Sequence, residues 1–356
     1  MTVEQAPILQ RWDVIRDTYT VTDYLGRGAF GQVYKVRHKF LNMQAIKVFD
    51  PKIFGPDSES DLLMEAVVLQ KLTHKNVVRV FEANSFEKNG HRYVFIAMEL
   101  VNGGSLDKVC LGDKKIDLKT TLKLCRDILL GLEQAHSQKP SMVHRDIKPQ
   151  NILIERRDSN YLAKVSDFGL ARHVNPETSL INAEGTLAFM APEGFWDYET
   201  PASDVFSAGI VMYWMITGQF PFHIPPHEHG YNRENLKNVL IETRRKKPLL
   251  PSQLNTEIDP GIDQIIFKSI DFDIKKRFQT AGEFEKAMNS FLQIKDDCSK
   301  DQEEARKLVT EALTLGRQYS TLPEAVLKME TAFAKDAGLI PKYTKIADQW
   351  RRGILM

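Results

Sequence analysis

One octapeptide decides the fold of this chain: His144-Arg145-Asp146-Ile147-Lys148-Pro149-Gln150-Asn151. It places a carboxylate, an ammonium group and a carboxamide within six residues. A second motif, Ser166-Asp167-Phe168-Gly169, puts Asp167 sixteen positions after Asn151, and Ala191-Pro192-Glu193 lies further on. Each motif alone is compatible with a solvent-exposed polar loop or with a turn. Their joint occurrence, in this order and at this spacing, is very improbable as an accident and indicates one functional unit.

A glycine-rich stretch lies about 115 residues earlier in the chain. It reads Leu25-Gly26-Arg27-Gly28-Ala29-Phe30-Gly31-Gln32-Val33, with glycines in G-x-G-x-x-G-x-V spacing. Glycines let the backbone approach phosphate oxygens and donate N–H groups to them, although a simple hairpin turn explains this stretch equally well. A β-rich segment follows instead of a helix, which disfavours dinucleotide binding. Lys47 comes next in an apolar strand, where a buried ammonium needs an anionic partner such as Glu65.

Hydrophobic periodicity predicts an α+β chain. Alternating, β-rich segments predict strands at 19–25, 32–36, 44–49, 77–81 and 93–100, and helical spacing predicts a helix over 60–72. From Asp117 onward the helical period dominates. The glycines of Val101-Asn102-Gly103-Gly104-Ser105 predict a hinge between the two halves.

The composition is that of an ordinary globular protein and excludes several functional classes. Of 356 residues, 42% are hydrophobic and 27% are charged, and 48 Lys+Arg stand against 47 Asp+Glu. This balance argues against a nucleic-acid or membrane-surface partner, because both favour a basic excess. The three cysteines lie far apart and predict neither a disulfide framework nor a zinc knuckle. The longest apolar stretch, around 208–216, is too short to span a bilayer, so we expect a cytoplasmic protein.

These motifs together make the chain resemble the eukaryotic-like (Hanks-type) protein kinase family over residues 19–292. The end of this region, Arg277-Phe278-Gln279-Thr280-Ala281, is similar to the bacterial branch of the family. The resemblance implies a two-lobed α+β fold: a β-rich N-lobe at about 19–100 and a helical C-lobe at about 103–292. Residues 1–18 are then an N-terminal extension, and 297–356 a helical accessory segment.

The resemblance also implies a Ser/Thr protein kinase that uses ATP with Mg²⁺, or alternatively Mn²⁺, and that acts on protein substrates. Asp146, Lys148, Lys47 and Glu65 are the implied catalytic residues, and Asn151 and Asp167 the implied metal ligands. The implied ATP-binding residues are Leu25, Gly26, Arg27, Gly28, Ala29, Phe30, Gly31, Gln32, Val33, Ala45, Lys47, Met98, Glu99, Val101 and Leu153. Asp204 is expected to anchor the catalytic loop, and Arg277 to pair with Glu193.

Two other functional classes are compatible with the same two-lobed fold. A pseudokinase scaffold normally lacks one of Lys47, Asp146, Asn151 or Asp167, and all four are present here. A small-molecule phosphotransferase shares the Asp146-to-Asn151 spacing, but Arg145, Lys148 and Ala191-Pro192-Glu193 favour protein substrates. Leu187 and Ile274 stand where many family members have proline.

The remaining expectations concern control and the C-terminal segment. Arg145 directly precedes Asp146, an arrangement that in the family accompanies phosphorylation of the activation segment. That segment runs here from Asp167 to Glu193, and Thr178 and Ser179 are its candidate phosphorylation sites. Apolar stripes at helical spacing in 297–356, with Thr321 as a helix cap, predict a short bundle that binds a protein partner or packs on the kinase. No membrane span is expected.

Overall fold

The computed structural model describes residues 6–28, 31–51, 58–110, 116–157, 160–168, 187–196, 198–223 and 233–355, without the side chains of 58–61, 65, 195, 233–236 and 294–299. The chain divides into two compact units, Met1–Ala287 and Met288–Met356. In the described part of the chain, no helix has the length and apolarity to cross a membrane.

The first unit begins with an antiparallel sheet in the order β1-β2-β3-β4-β6-β5. Its strands are β1 (Val14–Ile15), β2 (Tyr19–Gly28), β3 (Gly31–His38), β4 (Met43–Phe49), β5 (Val80–Lys88) and β6 (His91–Glu99), and helix α1 covers Ser58–Leu69. The strands predicted from alternation are present. The one expected at 77–81 instead begins at Val80, because Val77 forms an isolated parallel bridge with Val165.

Strand alternation gives this sheet two different faces. On one face Ala45, Ile96 and Met98 pack with Leu62 and Ala66 of α1. The opposite face carries a second buried cluster, made of Leu9, Ile15, Tyr19, Val21, Tyr34, Val36, Ile46, Val48, Phe95 and Ala97. Part of the predicted N-terminal extension therefore belongs to the packed sheet, because Leu9 and Ile15 complete this second cluster.

The rest of the first unit is mainly helical. Its elements are α2 (Leu106–Cys110), α3 (Leu118–His136), β7 (Ile152–Arg157), β8 (Asn160–Val165), α4 (Pro201–Thr217), α5 (Arg233–Arg245), α6 (Pro251–Leu254), α7 (Pro260–Ser269) and the start of α8 (Ala281–Leu315). Helix α4 starts in a capping box between Thr200 and Ser203 and ends at Gly218, whose positive φ of 73° suits glycine. β7 and β8 form a separate two-stranded sheet.

The second unit contains the rest of α8, followed by α9 (Leu322–Lys335) and α10 (Ile340–Arg351). Ala305, Ala325, Met329 and Trp350 are among the residues that form its core, in agreement with the predicted apolar stripes. The expected side-chain cap at Thr321 is wrong. Its hydroxyl donates to the Leu315 carbonyl at 2.5 Å, so it closes the end of α8 rather than the start of α9.

Candidate active site

The glycine-rich stretch forms the hairpin between β2 and β3, where Gly28 pairs with Gly31. Gly26 has a φ of +144°, which an L side chain rarely adopts. A Cβ at Gly31 would overlap the Val48 carbonyl on β4, so only glycine allows this approach of the two strands. Ala29 and Phe30, which were predicted to bind ATP, lie outside the described residues.

Lys47 lies on β4 and is only 2% exposed. Its Nζ is 2.8 Å from Oδ2 of Asp167. A buried ammonium is costly unless it is paired, and Asp167 supplies the negative charge. The predicted partner Glu65 is on α1, but its side chain lies outside the described residues.

The loop from His144 to Asn151 brings Asp146, Lys148 and Asn151 together. Oδ2 of Asp146 is 2.8 Å from Nζ of Lys148. The Nδ2 atom of Asn151 donates to the same Oδ2 at 2.9 Å and to the Asp146 backbone carbonyl at 2.7 Å. Oδ1 of Asp146 is buried and has no hydrogen-bond partner among the residues that the structure describes. One carboxylate oxygen is thus held in place, while the other remains to accept a hydrogen bond from a ligand.

Asp204 anchors this loop from the first turn of α4, as the resemblance predicted. Its carboxylate accepts the backbone N–H of His144 at 2.7 Å and that of Arg145 at 2.9 Å. His136 Nδ1 accepts the Ala281 N–H at 3.2 Å, so its Nε2 carries the proton and donates to Asp204 at 3.0 Å. Burial raises the pKa of Asp204, but the hydrogen bonds from the His136 ring and from the His144 backbone N–H outweigh burial and leave that pKa below its ordinary value.

Asp167 reaches the site through a strained turn after β8. It has a positive φ of 62°, an uncommon conformation for a residue with a side chain. The next residue, Phe168, is buried, and its ring centroid lies 4.6 Å from that of His144. His144 in turn contacts the Ser166 carbonyl through Nε2 at 2.7 Å. Packing of Phe168 and hydrogen bonding of His144 thus turn the Asp167 carboxylate towards Lys47.

The apolar residues predicted to surround adenine belong to one cluster. Ala45 and Met98 are buried in it, and Val33, Val101 and Leu153 pack against it. The backbone N–H of Glu99 donates to the Arg79 carbonyl at 2.9 Å, so a backbone contact from Glu99 to a ligand must use its carbonyl. The Glu99 side chain accepts a hydrogen bond from Lys164 Nζ at 2.5 Å. Val33, Ala45 and Met98 of this cluster therefore lie in the same β3–β4–β6 part of the sheet as Lys47.

The segment that begins at Leu187 is tied to the helical core. Arg277 donates to Glu193 through Nη1 at 2.6 Å and through Nη2 at 3.0 Å, which confirms the predicted pair. Arg145 Nε lies 3.2 Å from Oε2 of Glu199. The candidate phosphorylation sites Thr178 and Ser179 lie outside the described residues.

Sequence reasoning missed three charged residues here: Lys164, Glu199 and Arg244. Lys164 is a lysine within the apolar strand β8, and this is the same sequence pattern that singled out Lys47 in β4. Arg244 is 2% exposed, donates to the Leu187 carbonyl at 2.7 Å, and burial lowers its pKa to about 10. Nothing in the run Arg244-Arg245-Lys246-Lys247 distinguishes its one buried member, because burial depends on where α5 packs.

Comparison with known proteins gives consistent results. The chain is 29% identical over 244 residues to serine/threonine-protein kinase ATG1a of Arabidopsis thaliana, covering 68% of this chain and 37% of that protein. It is 28% identical over 275 residues to serine/threonine-protein kinase PknB of Mycobacterium leprae, covering 76% of this chain and 42% of that protein. The chain therefore spans about two-fifths of the length of these curated relatives.

The fold has solved counterparts. The kinase domain of Mycobacterium tuberculosis PknI aligns with a TM-score of 0.59 at 21% identity, covering 79% of this chain and 98% of that domain. Residues 19–293 match the protein kinase domain family. The predicted two-lobed α+β fold is thereby confirmed, and the chain belongs to the protein kinase family.

Proposed function

We propose that this chain is a serine/threonine protein kinase that transfers the γ-phosphoryl group of ATP to protein hydroxyls, including its own. The observation that carries the proposal is the juxtaposition of Lys47 with Asp167 and of Asp146 with Lys148, each at 2.8 Å. Phosphoryl transfer needs positioning and charge neutralisation more than covalent chemistry, and these four residues supply both. Membership of the family supports the same activity.

The residues present fit a divalent cation. Asp167 offers a carboxylate, and the Nδ2 atom of Asn151 is committed to Asp146, which leaves its amide oxygen as the ligating atom. Hard cations such as Mg²⁺ prefer these oxygens, and we propose Mg²⁺ with Mn²⁺ as the alternative. When bound, the ion neutralises phosphate charge.

The roles of the side chains follow from their contacts. Lys47, held by Asp167, binds the α- and β-phosphates, and Glu65 is proposed to help orient it. Oδ1 of Asp146, which has no hydrogen-bond partner among the described residues, accepts the hydrogen bond and then the proton of the incoming hydroxyl. Lys148 stabilises the negative charge of the transferring group.

The ATP-binding set keeps the assignments made from the sequence. The backbone of the glycine-rich hairpin, from Leu25 to Val33, contacts the phosphates. Val33, Ala45 and Leu153 cover the two faces of the purine, and Met98 lines the back of the pocket. The cytoplasmic location and a protein partner for residues 297–356 stay predictions.

The test is phosphate transfer from [γ-³²P]ATP to the chain itself and to a generic protein substrate such as casein, with Asp146→Asn as the inactive comparison. We expect label on protein hydroxyls from the wild type only. Nucleotide binding without transfer would identify a pseudokinase scaffold. Label on small hydroxyl compounds but not on protein would identify a small-molecule phosphotransferase.

A further inference from the structure

Residues 6–15 lie against the strands that carry the glycine-rich hairpin, and we name this segment the N-terminal strap. Leu9 is 3% exposed and Ile15 is 2% exposed, and both pack into the cluster that includes Tyr34. Val14 and Ile15 form β1, which pairs with Thr20 and Tyr19 of β2. The strap therefore adds a layer to the sheet and an edge strand to the hairpin.

Hydrogen bonds join the strap to two side chains of β3. The backbone N–H of Ile8 donates to Gln32 Oε1 at 2.8 Å, and Gln32 Nε2 donates to the Ala6 carbonyl at 3.4 Å. The backbone N–H of Leu9 donates to the Tyr34 hydroxyl at 3.0 Å. That hydroxyl also contacts Gln32 Oε1. Because Gln32 and Tyr34 are buried away from water, the strap completes the hydrogen bonding of these polar atoms.

The other end of the strap is attached to different strands. The N–H of Trp12 donates to the Val21 carbonyl at 2.9 Å, and the N–H of Val21 donates to the Asp13 carbonyl at the same distance. The Asp13 carboxylate pairs with Lys88 at the end of β5. The strap therefore joins the hairpin to the far edge of the sheet.

The strap acts from the face opposite the proposed nucleotide site. Strand alternation places Gln32 and Tyr34 on the strap side, whereas Val33 packs with the cluster that includes Ala45. Gln32 directly follows Gly31, so a side chain held by the strap is adjacent to a backbone proposed to bind phosphate. The strap contributes no atom to the nucleotide site, and its effect must pass through the hairpin.

We propose that the N-terminal strap is a positioning element that holds the glycine-rich hairpin in its nucleotide-binding conformation, with Gln32 and Tyr34 as the positioning residues. This inference rests on the proposed kinase function. If the competent conformation is populated only in part, the apparent Kd rises by the reciprocal of that fraction. Loss of the strap contacts therefore weakens ATP binding without altering the groups that perform the transfer.

The experiment measures MgATP binding by titration calorimetry on the full chain carrying Tyr34→Phe or Leu9→Ala. Tyr24→Phe and Val14→Ala are the matched controls, because Tyr24 pairs with Tyr34 across the hairpin and Val14 is an exposed residue of the strap. Loss of one neutral hydrogen bond should raise the Kd for MgATP roughly two- to tenfold. Amide hydrogen exchange in residues 24–28 and 31–35, measured without nucleotide, should accelerate in the same variants, and the KM for casein should not change.

The outcomes separate this inference from the function on which it rests. A wild-type chain that fails to bind MgATP overturns both. Wild-type affinity in Tyr34→Phe, with or without a lower Tm, overturns the positioning role and leaves the kinase assignment intact. Equal weakening in the Tyr24→Phe control also contradicts it. If Leu9→Ala does not fold, Tyr34→Phe decides the question, since it removes one hydroxyl and retains the buried ring.

Discussion

Lys47 on β4 and Asp167 after β8 are 120 positions apart in sequence, yet Nζ of one lies 2.8 Å from Oδ2 of the other. The pair joins the strand-rich half of the first unit to the residues that follow the two-stranded sheet. Lys47 is almost completely buried, and this carboxylate offsets part of the cost of burying its charge. The pair thereby brings the cation that we propose for phosphate binding next to the anion that we propose for metal binding.

We expect Lys47→Ala and Asp167→Ala to fold and to lose phosphoryl transfer by about a thousandfold or more, because each removes a charge that positions phosphate or metal. The measurement is the initial rate of casein labelling from [γ-³²P]ATP. Lys39→Ala, a change at an exposed lysine at the end of β3, is the control and should retain wild-type activity. Near-full activity in either active-site variant would refute the assignment.

Breaking the pair between Arg277 and Glu193 should destabilise the first unit strongly. The Arg277 side chain is fully buried, and its loss leaves the Glu193 carboxylate without its bidentate partner. We expect Arg277→Met to cost about 3–5 kcal/mol, seen as a lower Tm and urea midpoint. Lys276→Met, at the exposed neighbouring residue, should leave the Tm and the urea midpoint at their wild-type values. Equal stability of the two variants would contradict this account of the pair.

The contribution of Asp204 to stability should depend on pH in a defined direction. Because the folded-state pKa of Asp204 lies below its ordinary value of 3.8, its contribution is fully present above pH 3.8 and is lost as the pH falls through the folded pKa. Asp204→Asn should therefore cost roughly 1.5–3 kcal/mol at pH 7, and the difference from wild type should shrink below pH 3.8. Urea midpoints at a series of pH values measure this.

The control for that series is Asp23→Asn, at an exposed position of β2. It should track the wild type at every pH. A stability gap between Asp204→Asn and wild type that stays constant down to pH 3 or widens would show that the ionised carboxylate does not stabilise the fold.

Incubation with MgATP should place phosphate on Thr178 or Ser179. Such a phosphate carries about two negative charges and is expected to pair with Arg145, which already contacts Glu199 at 3.2 Å. Changing both residues to alanine should lower activity roughly tenfold, the equivalent of one charge-assisted hydrogen bond. Mass spectrometry locates the phosphate. Unchanged activity in the double variant, together with no phosphate at either position, would place the control elsewhere.

Gly316 should be essential for packing of the second unit. A Cβ at this position would overlap the indole of Trp350, which is 2% exposed, so Gly316→Ala must displace α10 or the end of α8. Overpacking of this kind typically costs about 1–3 kcal/mol. Hydrogen exchange across residues 305–350 should accelerate, whereas Leu327→Ala, at an exposed position of α9, should not change it. Unaltered hydrogen exchange in Gly316→Ala would contradict this prediction, because it would mean that the helices accommodate the added methyl group without loss of stability.

Short-range patterns in the sequence were sufficient for the kinase fold and for the main candidate site. The octapeptide around Asp146, the glycine spacing before Val33 and the lysine within an apolar strand each depend on residues close together in the chain. Alternation and helical periodicity likewise report local backbone geometry, which is why most predicted strands and helices were present. Loop and cap details were less predictable, and Thr321 bonds to α8 because tertiary packing places the Leu315 carbonyl beside it.

Contacts between distant residues were decided only by the tertiary structure. Composition does not show that Leu9 is buried, because Leu9 is shielded from water by Tyr34 and neighbouring residues of strands that lie further along the sequence. Arg244 is the buried member of four consecutive basic residues, because α5 packs against the backbone of residues 187–190 at that position. A local pattern determines which element forms and which chemical groups it carries. The partner of a buried polar group is chosen by the three-dimensional packing, because the cost of leaving that group without a hydrogen bond is paid only when the chain is folded.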